Sequence, residues 1–159
     1  MTTVPDIRDM QRRSMMHSLS AAIALCFVAL ASAAAQAQVT VDHAWARATV
    51  PGQKVAGVYL EIRAEEPAKL VGVRSTAAGS AQIHSMSNEG GVMKMRRLEQ
   101  LDLPAGQTVR LAPGGNHIML LDIKRPLQPG ARVPVVLIVE QKGKKRWIQL
   151  QAEIRPVAP

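Results

Sequence analysis

The stretch His84-Ser85-Met86-Ser87-Asn88-Glu89-Gly90-Gly91-Val92-Met93-Lys94-Met95, followed after twenty-one intervening residues by His117-Ile118-Met119, decides how this chain reads. Two imidazoles and four thioethers fall within thirty-six residues. The chain has eight methionines, and the other four, Met1, Met10, Met15 and Met16, lie near its beginning. In an extended segment, residues two apart project from one face. His84 then shares a face with Met86, Met93 with Met95, and His117 with Met119. Asn88, Gly90 and Gly91 are turn formers, so the spacing predicts a hairpin across Ser87–Val92 with Met86 opposite Met93 and His84 opposite Met95. Directly opposed side chains have Cβ atoms about 4.5–5.5 Å apart, close enough for both to reach one ion. A third strand, Asn116–Leu121, adds His117 and Met119.

Imidazole and thioether together select by softness: a thioether is a poor partner for magnesium or calcium and a good one for Cu(I). The donor set therefore points to copper. A single methionine in a strand is usually core filler, and a single histidine is usually a surface group, but four such residues at these intervals are hard to obtain from packing. Met86 and Met93 read as core or rim packing, with an auxiliary role in copper entry, or as a substitute ligand, as the alternative. His43 reads as a surface histidine, with a second Cu(II) site formed with the new N-terminus as the alternative, and Trp45 and Trp147 read as core.

The rest of the chain is punctuated like an all-β domain. Gln38–Ala48, Val55–Arg63, Leu70–Ser75, Ala81–Met86, Val92–Leu98, Gln107–Leu111, His117–Leu121, Arg132–Glu140 and Arg146–Ile154 read as strands, with Val39, Val41, His43 and Trp45 on one side of the first. Ala77–Ser80 reads as a small-residue connection, and Lys142–Arg146 as a solvated hairpin turn. Short strands with turn signals every 8–12 residues and no helical period argue for a β-sandwich or barrel.

Residues 1–37 read as a signal peptide: Arg12 and Arg13, an apolar run from Leu19 to Ala31, then small residues, with cleavage after Ala37. The run is shorter than the roughly 20 residues a membrane span needs. Cys26, the only cysteine, lies in this leader and follows Leu25 rather than a small residue, which disfavours a lipid anchor. The mature chain, residues 38–159, then has no cysteine, which excludes a disulfide framework, thiol redox chemistry and a blue-copper centre with its cysteine ligand. Its 122 residues suit one domain. The chain carries +8, of which three leader arginines against Asp6 and Asp9 account for +1. A basic exported protein has anionic membranes or acidic proteins as partners, and no nucleic-acid motif is present.

The spacing His84, ten residues, Met95, twenty-one residues, His117, one residue, Met119 resembles the H-x(10)-M-x(21)-H-x-M pattern of the periplasmic copper chaperone family, the PCu(A)C domain. Ala44-Trp45-Ala46-Arg47-Ala48-Thr49, Gly90-Gly91-Val92-Met93 and Leu111-Ala112-Pro113-Gly114-Gly115 resemble that family too. The resemblance covers nearly all of residues 38–159. It implies a cupredoxin-like Greek-key β-sandwich, with His84, Met95, His117 and Met119 holding one Cu(I) per chain. It further implies a monomeric, non-enzymatic periplasmic carrier without a membrane anchor, which passes copper to an oxidase copper-bearing subunit or a Sco-like assembly protein. Copper sequestration for resistance is the alternative that uses the same ligands.

Overall fold

The computed structural model describes residues 39–156; the expected leader, residues 1–37, lies outside them. Ten strands follow in order: β1 (Val39–Arg47), β2 (Val55–Ala64), β3 (Ala68–Arg74), β4 (Ala78–Glu89), β5 (Val92–Leu98), β6 (Leu101–Leu103), β7 (Thr108–Leu111), β8 (His117–Ile123), β9 (Arg132–Gln141) and β10 (Lys144–Arg155). They pair in the order β5-β4-β8-β2-β1-β10-β9-β3-β6, with β7 also on β2. Every pairing is antiparallel except β1 with β10. The all-β expectation is met, in the cupredoxin-like arrangement.

Alternation dictates which side of each strand is buried. On β2, Ala56, Val58, Leu60, Ile62 and Ala64 are buried, as are Val133, Val135, Leu137 and Val139 on β9, and Ile118 and Leu120 on β8. These face one another in a single core. At roughly 25 cal/mol per Å² of apolar surface removed from water, this burial is the main force holding the strands. The opposite face of β5-β4-β8-β2-β1 is left outside the core, and it carries Met95, Met86, His84, His117, Met119, Gly57, Tyr59 and Trp45. Register fixes this: His84 pairs His117, Gln82 pairs Met119, Met119 pairs Gly57, and Trp45 pairs Tyr59.

Several sequence-level expectations are corrected. Ala77–Ser80 is no connection, since β4 begins at Ala78 and pairs with Ile123 of β8. Leu101–Leu103 forms an additional short strand on β3. In β1 the register shifts between Asp42 and Trp45, and His43 takes φ 52°. This bulge inserts one residue and moves Trp45 onto the face of Asp42 rather than that of Val41. Trp147 is not core: it is 61% exposed, because Ile148, opposite the fully buried Leu137, takes the inward position and turns Trp147 outward beside Ile138.

Candidate metal centre

The hairpin of β4 and β5 closes through Gly90 and Gly91, both at positive φ (63° and 83°), with Glu89 opposite Val92. A two-residue turn with both central residues left-handed matches strand twist, and the Asn88 side chain accepts the Gly91 N–H at 2.9 Å. Closure at the glycine pair puts Met86 opposite Met95, Asn88 opposite Met93 and His84 opposite Arg97. The expected pairs, Met86 with Met93 and His84 with Met95, are therefore wrong by two residues. A shift of two preserves faces, so Met95 stays on the histidine side. Beyond the core the hairpin is solvated on both sides, and Glu89 holds Lys94 (2.7 Å) and Arg96 (3.3 Å) on the face away from the methionines.

His84 and His117 meet across the β4–β8 pair with ring centroids 5.9 Å apart. Two imidazoles bound to one ion at about 2.0–2.1 Å have centroids no more than roughly 6.3 Å apart, so the two rings stand within reach of a single ion. Each ring is oriented from behind. His117, 4% exposed, places Nδ1 2.9 Å from the carbonyl oxygen of Gly115; with Nδ1–H donating there, Nε2 keeps its lone pair. The turn that presents this carbonyl is closed by Ala112 N–H to Asn116 O (2.8 Å) and Gly115 N–H to Ala112 O (3.1 Å), with Gly114 at φ 82°. Asn116 is thus a turn residue. His84 places Nε2 2.9 Å from Gln82 Oε1, while its Nδ1 is buried without a partner. A buried ring nitrogen with a free lone pair is costly unless something binds it. Burial, then the neighbouring charges of His117 and Arg97, holds the His84 pKa below its usual 6.5, which keeps the ring neutral and able to ligate.

The sulfurs gather beside the His117 ring. Met86, Met95, His117 and Met119 line one cleft of about 380 Å³, walled by Gly57, Tyr59, Arg47 and the Pro113-Gly114 turn. Tyr59 stacks on Trp45 at 4.5 Å and stands 6.4 Å from the His117 ring. Met95 is 45% and Met93 53% exposed, so neither is core; Met93 sits further out on the hairpin. His43 is a surface residue beside Glu61 at 3.6 Å. Among the described residues no group of three or more His, Cys, Asp or Glu could hold a metal ion. The two imidazoles make a metal site only with sulfur, a donor set suited to a soft monovalent cation. Gln82, Tyr59, Gly57 and the Gly115 carbonyl were missed by the sequence reading. Gln82 could have been found two residues before His84 on the same strand face, and Gly57 as a glycine inside a strand, the usual mark of close approach.

Comparison with known proteins gives a consistent picture. The family model described as "Putative lipoprotein LpqE-like" matches residues 39–149. The chain is 37% identical over 100 residues to "Putative lipoprotein Lxx21020" of Leifsonia xyli subsp. xyli, covering 62% of this chain, and 31% identical over 117 residues to protein RP573 of Rickettsia prowazekii, covering 70% of it. It spans only 60% and 65% of those relatives' own lengths. Among solved structures it is similar to the copper-bound PCuAC domain from PmoF2 (TM-score 0.62, 26% identity, 77% of this chain and 97% of that one). It is also similar to the Cu(I) form of DR1885 from Deinococcus radiodurans (TM-score 0.60, 31% identity, 80% and 85%). The chain belongs to the LpqE-like family and carries the fold of the PCuAC domains.

Proposed function

We propose that residues 38–159 form an exported Cu(I) carrier whose ligands are His84, Met95, His117 and Met119. The observation that carries this reading is that His84 and His117 meet at 5.9 Å on the one sheet face left outside the core, and that His117 shares a cleft on that face with Met95 and Met119. The Cu(I) bound by the similar DR1885 domain supports the same metal here. All four ligands are neutral, so the complex keeps the ion's single positive charge and favours Cu(I) over Cu(II). Thioether bonds are weak and Met95 faces solvent, so an acceptor can displace one ligand at a time and draw the ion out. Such a site carries copper rather than catalysing with it.

The natural recipient is a periplasmic copper centre of a respiratory oxidase, reached directly or through a Sco-like thiol protein. Export is supported by the leader-like residues 1–37 and by the lipoprotein name of the Leifsonia relative, although Leu25 before Cys26 argues against lipid attachment in this chain. The test is anaerobic: the Cu(I)-loaded mature chain is mixed with a purified apo copper domain of an oxidase, and absorption follows the acceptor. Metallation of the acceptor is the expected result. Retained copper, together with a deletion strain that is copper-sensitive but keeps oxidase activity, would assign the protein to sequestration instead.

A further inference from the structure

The proposed ligand set leaves out two methionines of the same sheet face, and they differ in place. Met93 lies outward on the hairpin opposite Asn88, whereas Met86 is half-buried, opposite Met95, and lines the cleft with Met95, Met119 and His117. His84 is not part of that lining; it stands beside His117 with its ring tied to Gln82. Met86 is not core filler either, because the buried side of β4 is that of Ile83, the next but two along and on the opposite face. A cation held in the cleft therefore has three sulfurs and one imidazole around it, with the His84 ring alongside.

We propose that Met86 is a fifth copper-site residue, which receives Cu(I) together with Met95, Met119 and His117 and then yields its place to His84. This rests on the reading of the face as a Cu(I) site. Met86 and His84 are two residues apart on one strand face, roughly 6.6 Å along the chain, so the ion changes one ligand while three stay. One Cu–S bond breaks and one Cu–N bond forms. The copper remains Cu(I) throughout, and no proton leaves, because with Nε2–H on Gln82 the His84 Nδ1 already offers its lone pair. Read backwards, the same exchange opens the site toward an acceptor.

The experiment compares wild type, M86L, H84A and H84A/M86L, loaded with Cu(I) and examined by X-ray absorption, chelator competition and stopped-flow uptake from the chelator. Leucine keeps the methionine's bulk, and far-UV circular dichroism verifies the fold of each variant. Wild type should hold two sulfurs and two nitrogens, and H84A three sulfurs and one nitrogen. H84A should lose about tenfold in affinity, and H84A/M86L at least about tenfold more. M86L alone should take up copper at least about fivefold more slowly than wild type, and an unchanged uptake rate would overturn the role of Met86. An H84A site with only two sulfurs, or equal affinities for H84A and H84A/M86L, would overturn the role of Met86 and leave the four-ligand site standing. A wild-type spectrum without two nitrogens and two sulfurs would instead bring down the site itself, and this inference with it.

Discussion

Gly57→Ala tests the wall of the site without touching a proposed ligand. A Cβ built at Gly57 falls 2.5 Å from Tyr59 Oη, 2.9 Å from Cζ and 3.3 Å from Cε2. Real Cβ contacts essentially never come under 3.0 Å, so the phenol must retreat by about half an ångström merely to reach the limit of tolerance. It has little room, since Tyr59 is 8% exposed and its ring lies against Trp45 at 4.5 Å. Overpacking of this kind costs about 1–3 kcal/mol, and removing a strand glycine returns about 0.5–1 kcal/mol. The net expectation, taken at the middle of both ranges, is a loss of about 1.3 kcal/mol, which at about 4 °C per kcal/mol for a domain this size is a fall in Tm of about 5 °C. Thermal denaturation by far-UV circular dichroism reads the stability, and tryptophan fluorescence reads the displaced Trp45 stack. Tyr59→Leu removes the clashing atoms, so G57A should cost less in the Y59L background by more than about 0.5 kcal/mol. If G57A melts within a degree of wild type with unchanged fluorescence, or if the two substitutions are simply additive, the contact does not constrain the site.

Replacing Met95 and Met119 together by alanine should weaken Cu(I) binding at least about a hundredfold in chelator competition, since even groups behind a metal ligand typically cost 10–100-fold. The apo protein should lose stability as pH falls below 6.5. There the unfolded chain protonates His84 while the folded chain, whose pKa is held lower by burial and by His117 and Arg97, resists. Above 6.5 the group is neutral in both states and contributes no slope, so in urea titrations the pH slope of His84→Gln should differ from that of wild type only on the acid side. Gly91→Ala, at φ 83°, should cost about 1–2 kcal/mol of left-handed strain. Faster amide exchange confined to the β4–β5 hairpin would show that cost.

The β architecture was legible because turn signals and alternating burial recur along the whole chain, and most strand ranges follow from them. What escaped were features that alternation cannot express. The bulge at His43 is one inserted residue with no glycine to announce it, and it reverses the face of everything after it in β1. Trp147 was misplaced because its neighbour Ile148 takes the inward side of the strand. At the site, residue types and intervals pointed to His84, Met95, His117 and Met119, and the structure brings them to one face. The pairing between them depended on where the turn closes. Gly90 and Gly91 both take positive φ, so the loop is two residues centred between them, not six centred one position earlier. The supports, Gln82 and the Gly115 carbonyl, carry no distinctive chemistry in a sequence and emerge only from the distances.

Placing the site on the face opposite the core has a consequence for how binding and folding are coupled. Ile118 lies between His117 and Met119 in the chain, yet it is fully buried while they face the cleft. One strand thus serves two masters through period-two alternation. Truncating Ile118 to alanine removes core contacts and should cost about 2–5 kcal/mol. Truncating Met95, nearly half exposed and outside the core, should change stability by no more than about 0.5 kcal/mol. Copper affinity should move the other way: I118A, measured where it is still folded, should bind Cu(I) much as wild type does, whereas M95A should not. A carrier gains from this separation, because its ligands can be weak, exposed and exchangeable without lowering the stability of the domain that presents them. Denaturant curves and Cu(I) competition on the same two variants decide the matter. If M95A proves as destabilising as I118A, the methionines are part of the packing and the face is not free to serve the metal.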